Sequence, residues 1–172
     1  MTRRTLLGAV GGANAAFGYS PEASKSGSDV RAEIYRLKLR QTWTTVMSSS
    51  DYRDEVQLAY RKDGITGYGE GAPIVRYHED AAGAKAAIES VGPLLKSGDP
   101  MQYRKVMREV FAKVEGNWAA KCAIDTALMD WTGKKLGVPI WKMLGLDAKD
   151  APVTTYSIGI DTPEITKKKV LE

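Results

Sequence analysis

The order of its periodicities marks this 172-residue chain as an α+β protein, with strands first, helices next and the opening of a strand–helix unit last. Three observations carry that prediction. Between Asp29 and Gly71 apolar residues recur with period two, as in half-buried strands. Between Asp80 and Gly145 the period lengthens to that of helices. From Thr154 to Ile160 an alternating strand leads through Asp161-Thr162-Pro163 into a helix with proline near its first position.

The strands come as a small antiparallel sheet. The stretch VRAEIYRLKLR sets Ile34, Leu37 and Leu39 among charged neighbours, and DEVQLAYRKDGITGYGEG alternates through Val56, Leu58 and Tyr60 before a turn at Asp63-Gly64. Between them QTWTTVMSSSDYRD reads as a polar loop, longer than a hairpin turn requires and hence either functional or floppy. Three helices follow: one over DAAGAKAAIESVGPLLKSG, one from Pro100 to Val114 and one from Asn117 to Leu136. The third carries Ala120, Ala123, Ile124, Ala127, Leu128 and Trp131 on one stripe, with Asn117 as N-cap, Gly137 as C-cap and Pro139 preventing continuation. Its small residues, Ala119, Ala120, Ala123 and Ala127, predict a packing surface that another element approaches closely. Lys121 and Asp125 are spaced to pair on its exposed side. Asp125 and Asp130 point in different directions on a helix and read as structural.

Composition narrows the function. A chain 43% hydrophobic and 27% charged is globular, and one cysteine, Cys122, with one histidine, His78, leaves neither an intramolecular disulfide nor a Cys/His zinc site. The opening MTRRTLLGAVGGANAAFG has paired arginines, a Gly/Ala-rich apolar run and the Ala13-Asn14-Ala15 pattern of an export signal. Thr2 to Leu7 resembles a twin-arginine signal, which predicts a periplasmic or otherwise exported protein; a plain N-terminal tail would leave it cytoplasmic. The run from Leu6 to Phe17 is too short to span a membrane, so no membrane attachment is expected once the signal is removed. Removing Arg3 and Arg4 from the 25 cationic residues leaves 23 against 21 acidic ones, a balance of about +2, which is no footprint for nucleic acid. The expected organisation is a signal over 1–18, a linker over 19–29, a first domain over 30–150 and the start of a second over 151–172.

The stretch AKCAIDTALMDWTGKKLGVPIWKMLG, Ala120 to Gly145, resembles the signature of the mandelate racemase and muconate lactonizing branch of the enolase superfamily. GYGEGAP, Gly67 to Pro73, resembles the G-x-G-E-x-x-P run that closes that family's capping sheet. The resemblance implies an enolase-type N-terminal capping domain followed by the first βα unit of a truncated (β/α) barrel. Within the family, TWTTVMSSSDYRDEV and TTYSIGID look most like the dipeptide epimerases of the L-Ala-D/L-Glu type. The same signature is shared by o-succinylbenzoate synthase and N-succinylamino acid racemase, and a cap-only binding module is the reading from outside enzymology.

The implied chemistry is abstraction and return of an α-proton, with Mg²⁺ holding the substrate carboxylate and lysines on opposite faces moving the proton. The resemblance places those lysines and the three acidic Mg²⁺ ligands on later barrel strands, so it implies no catalytic or metal-binding residue in these 172 and an inactive fragment. Lys167-Lys168-Lys169 lies within the first barrel helix and reads as a solvated basic end. What a capping domain supplies is specificity, through loops over Trp43 to Arg53 and Ala72 to His78 that close on a small dipeptide. Trp43 and Met47 are candidates for an apolar wall, Ser48 and Ser50 for hydrogen-bond donors, Arg53 and Arg76 for pairing with a second carboxylate. Ser157 resembles a pocket-lining position of the first barrel strand, and His78 reads as a loop residue. The alternative for this set is Trp43 in the cap core and both arginines solvated. A homo-oligomer is a further expectation.

Overall fold

The computed structural model describes residues 27–171, so the expected leader and most of the linker lie outside the described residues. Three antiparallel strands, β1 (Asp29–Thr44), β2 (Ser49–Lys62) and β3 (Ile65–Gly71), form one sheet in the order β1-β2-β3. Among the described residues six α-helices come after them: α1 (Ala81–Ser90), α2 (Gly92–Ser97), α3 (Tyr103–Lys113), α4 (Trp118–Leu136), α5 (Ile140–Met143) and α6 (Pro163–Leu171). The β2–β3 turn puts both Asp63 (φ 52°) and Gly64 (φ 75°) in the left-handed region, the two-residue geometry that matches strand twist.

The core forms where α4 lies on the sheet. Val56, Leu58 and Tyr60 of β2 face Ile124, Leu128 and Trp131 of α4, with Ile88, Leu95 and Val110 from the other helices closing around them. Trp131 sits edge-on to Tyr60 and donates its indole N–H to Lys62 O at 2.9 Å. The alanine surface predicted on α4 has its partner in β3. A Cβ at Gly67, Gly69 or Gly71 would fall 2.1, 1.9 and 2.0 Å from the carbonyl oxygens of Ala127, Ala123 and Ala119. Strand positions two apart therefore meet helix positions four apart, and the two backbones touch with nothing between them. The outer edge of β3 is closed by the same helix. Asp130 accepts the Tyr68 N–H at 2.8 Å and Lys134 donates to Thr66 O at 2.9 Å, which blunts the edge against further pairing.

The structure corrects several expectations. The polar stretch from Gln41 to Asp54 is mostly strand: β1 runs to Thr44, β2 starts at Ser49, and only Thr45–Ser48 turns. Its threonines favour strands, and their hydroxyls bridge the pair, Thr42 Oγ1 donating to Asp51 and Thr44 bonding Ser49 at 2.8 Å. The single helix expected over Asp80 to Gly98 is two, because Pro93 has no N–H for the Glu89 carbonyl and its ring displaces that turn. Lys121 and Asp125 do not pair. The Lys121 ammonium is buried between the rings of Trp118 and Phe111, 4.5 and 4.7 Å from their centres, and Asp125 accepts the Tyr103 hydroxyl instead. Lys169 is not a solvated helix end: its side chain is 11% exposed and it pairs with Asp161 at 2.9 Å. Thr154 to Ile160 is extended without a ladder, since a parallel strand needs neighbours and the described residues supply none. Its link to the sheet is one backbone bond, Ile160 N–H to Thr44 O at 2.9 Å.

Candidate functional site

The far end of the β1–β2 hairpin stands over the segment that joins β3 to α1, and the space between them is a cleft. The hairpin reaches this position through a break in register: Lys38 pairs with Tyr52, yet the next pair is Trp43 with Ser50. The extra β1 residues form a bulge, which bends the strand and re-aims the hairpin tip. There the Thr45–Ser48 turn is closed by the Thr45 N–H to Ser48 O at 2.8 Å, while Thr45 Oγ1 accepts from the Met47 and Ser48 amides at 3.2 Å. The opposite wall is a short 3₁₀ turn, Val75–Tyr77, ended by His78 in the left-handed region.

Six of the predicted residues, Trp43, Met47, Ser48, Ser50, Arg53 and Arg76, line this cleft of about 550 Å³. The seventh, Ser157, lines a second cleft of about 370 Å³ between β1 and the extended 156–159 segment, where Trp43 and Arg53 also stand. Trp43 is thus a half-buried wall shared by both clefts and not a member of the cap core. Ile74 and Val75, 43% and 54% exposed, add an apolar surface that the sequence did not single out. Their signal was their place next to Pro73 at the end of GYGEGAP.

The electrostatics of the larger cleft depend on which charges are already engaged. Asp54 takes two hydrogen bonds from Arg36, both 2.7 Å, and that guanidinium holds its carboxyl below the usual carboxylate range. Arg36 in turn stacks 4.0 Å over the Tyr52 ring. Glu79 accepts the Trp118 and Ala119 amides at 2.6 and 3.1 Å, fixing the 3₁₀ segment to the N-terminus of α4. Asp80 caps α1 through the Gly83 amide at 2.6 Å. Ser50 Oγ is occupied by the Tyr52 backbone. Among the described residues Arg53 donates to the Tyr52 carbonyl alone, at 3.0 Å, and Arg76 is exposed with no hydrogen-bond or ion-pair partner. The cleft therefore presents the Arg53 and Arg76 guanidinium groups beside three carboxylates whose hydrogen-bond partners lie elsewhere.

Among the described residues no group of three or more His, Cys, Asp or Glu side chains is placed to hold a metal. Among them, too, no helix is long and apolar enough to cross a membrane.

A three-stranded antiparallel sheet with helices packed on one face, leading into an extended segment and a helix, is the architecture of an enolase-superfamily capping domain with the start of a barrel. Residues 31–145 match the mandelate racemase/muconate lactonizing enzyme N-terminal domain, and the chain belongs to that family. The chain is 36% identical over 138 residues to an L-Ala-D/L-Glu epimerase of Bacteroides thetaiotaomicron, covering 80% of this chain and 36% of the relative. It is 41% identical over 141 residues to an L-Ala-D/L-amino acid epimerase of Pedosphaera parvula, covering 78% of this chain and 40% of the relative. Among solved structures it is similar to the dipeptide epimerase of Enterococcus faecalis complexed with Mg and L-Leu-L-Tyr. That likeness has 31% identity and a TM-score of 0.73, covering 85% of this chain and 41% of the other. The chain spans about two-fifths of the length of the relatives it matches.

Proposed function

We propose that this chain is the N-terminal part of a magnesium-dependent dipeptide epimerase of the L-Ala-D/L-Glu type, and that its clefts seat the substrate. The observation that supports this is the convergence of Trp43, Met47, Ser48, Arg53 and Arg76 on one cleft whose carboxylates are all engaged elsewhere. Trp43, Met47, Ile74 and Val75 exclude water from the bound dipeptide, while the guanidinium groups of Arg53 and Arg76 orient a side-chain carboxylate. Ser157 faces the substrate from the second cleft. Proton transfer and metal binding belong, on this reading, to barrel strands that come after Glu172, and the 172-residue chain alone is inactive. The leader at 1–18 directs the folded protein out of the cytoplasm, where peptides from cell-wall turnover supply the substrate.

Reading the coding DNA past the codon for Glu172 tests this directly. A second barrel strand ending in Lys-x-Lys is the expected result, together with no Mg²⁺-dependent exchange of the dipeptide α-proton in deuterated water by the 172-residue chain. Unrelated downstream sequence overturns the epimerase reading and leaves a cap-only binding module.

A further inference from the structure

The tip of the β1–β2 hairpin is a bonded unit set apart from the sheet. The bulge between Lys38 and Trp43 interrupts the ladder below it, and only two pairs, Trp43 with Ser50 and Thr44 with Ser49, resume before the turn. The turn's own bonds hold residues 45–48 together but do not fix where the unit points. A hairpin tip beyond a bulge, with no further support, swings on the bulge.

Its support comes from the segment that carries Ser157. Ile160 donates its N–H to Thr44 O at 2.9 Å. One residue earlier, Gly159 lies directly on the Thr44 backbone: a Cβ there would stand 3.0 Å from Thr44 N, 3.2 Å from Thr44 O and 3.5 Å from Cε3 of Trp43. The two Thr44 distances are tighter than ordinary side-chain contacts, so any residue other than glycine pushes Thr44 and the 157–160 segment apart by a few tenths of an ångström. Moving Thr44 lengthens the Ile160 bond and carries Trp43 with it.

We propose that Gly159 is a positioning residue, which lets the 157–160 backbone dock on Thr44 and so fixes Trp43 relative to Ser157 across the two clefts. The consequence for catalysis rests on the clefts being the substrate's seat, as proposed above; the docking itself does not. Trp43 and Ser157 then keep one relative arrangement whatever the rest of the hairpin does, which preorganises the wall that both clefts share.

Amide hydrogen exchange and tryptophan fluorescence on the 172-residue chain and its Gly159→Ala and Gly159→Val variants test the proposal. Subtracting the Trp43→Phe spectrum isolates the Trp43 signal from that of the other three tryptophans. In Gly159→Val the Ile160 amide is expected to exchange at least about tenfold faster, and Trp43 emission to shift to the red. Gly159→Ala is expected to lie between Val and the parent, with the Leu58 and Ala123 amides unchanged in both. Unchanged Ile160 exchange and Trp43 emission in a folded Gly159→Val overturn the proposal. If Val does not fold, Gly159→Ala decides by the same criteria. Loss of protection spread evenly over Leu58, Ala123 and Ile160 in both variants also overturns it, because Gly159 is then a general folding position. No dipeptide enters the measurement, so its failure is distinct from a failure of the epimerase reading.

Discussion

In the proposed function Arg53 and Arg76 take the ligand carboxylate, since the acids beside them have other partners: Asp54 has Arg36, Glu79 the first amides of α4, Asp80 the Gly83 amide. A charge-assisted bond from either arginine to a ligand carboxylate contributes about 1.5–3 kcal/mol, so Arg53→Ala or Arg76→Ala is expected to weaken binding of an acidic dipeptide about tenfold or more. Chemical-shift titration of the 172-residue chain with Ala-Glu, repeated with Ala-Leu, checks this; equal loss for both peptides sinks the carboxylate role. Tyr60 is a residue of the opposite kind, 1% exposed with a hydroxyl that has no partner among the described residues. Burial pushes its phenol up to about 12 from an ordinary value near 10. In the unfolded chain the phenol ionises near pH 10, while in the folded protein it stays neutral until about 12. Stability is therefore full below pH 10 and falls as pH rises towards 12. Tyr60→Phe removes the orphan hydroxyl, and a gain of up to about 1 kcal/mol at neutral pH is expected, with a shallower alkaline decline. Urea titrations at pH 7 and pH 11 measure both effects.

At the scale of elements the decisive contact is helix α4 on strand β3, and it joins two features that the sequence shows separately. The alanines of α4 announce a close approach, and GYGEG announces a strand without side chains on one face. That they meet is tertiary, since neither periodicity says which partner the small face takes. Gly69→Ala places a methyl where Ala123 O stands 1.9 Å away, so a cost of about 3 kcal/mol or more is expected. A change at the half-buried end of β2, Lys62→Ala, removes a cap on the last carbonyls of α2 and is expected to cost only about 1 kcal/mol. Denaturant midpoints of the two variants establish the order. The caps of α4 at Asn117 and Gly137 and the Asp63-Gly64 turn are legible because each is set by local chemistry. The hairpin is not, because serine and threonine are loop formers by composition and strand formers when their hydroxyls bridge a pair. The seven cleft residues are legible as types, from the resemblance, but their division between two clefts requires the bulge at Lys38 to Trp43, which no alternation reveals.

For the whole molecule, burial divides the chain unevenly. Every buried apolar residue among those described lies between Ala32 and Trp131. From Leu136 onward many large apolar side chains are exposed, including Leu144 and Leu146 at 55% and 59%, Val153 at 91% and Tyr156 at 67%. Exposed apolar side chains beside an extended segment with unpaired backbone groups favour association in water. The 172-residue chain is therefore expected to sediment as an oligomer at tens of micromolar, an order of magnitude set by weak apolar association. Val153→Lys with Tyr156→Lys is expected to shift it towards monomer, because a charge on that segment opposes edge pairing. Ending the chain after Asp150 removes the segment without touching the core, so the cap is expected to unfold cooperatively within a few degrees of the parent. The two experiments bear on each other. A truncated chain that is monomeric and equally stable places the association in residues 151–172 and makes the cap an autonomous domain. A truncated chain that melts much earlier means that Gly159 and Ile160 brace the sheet as a whole through Thr44, and that the cap does not end at residue 150.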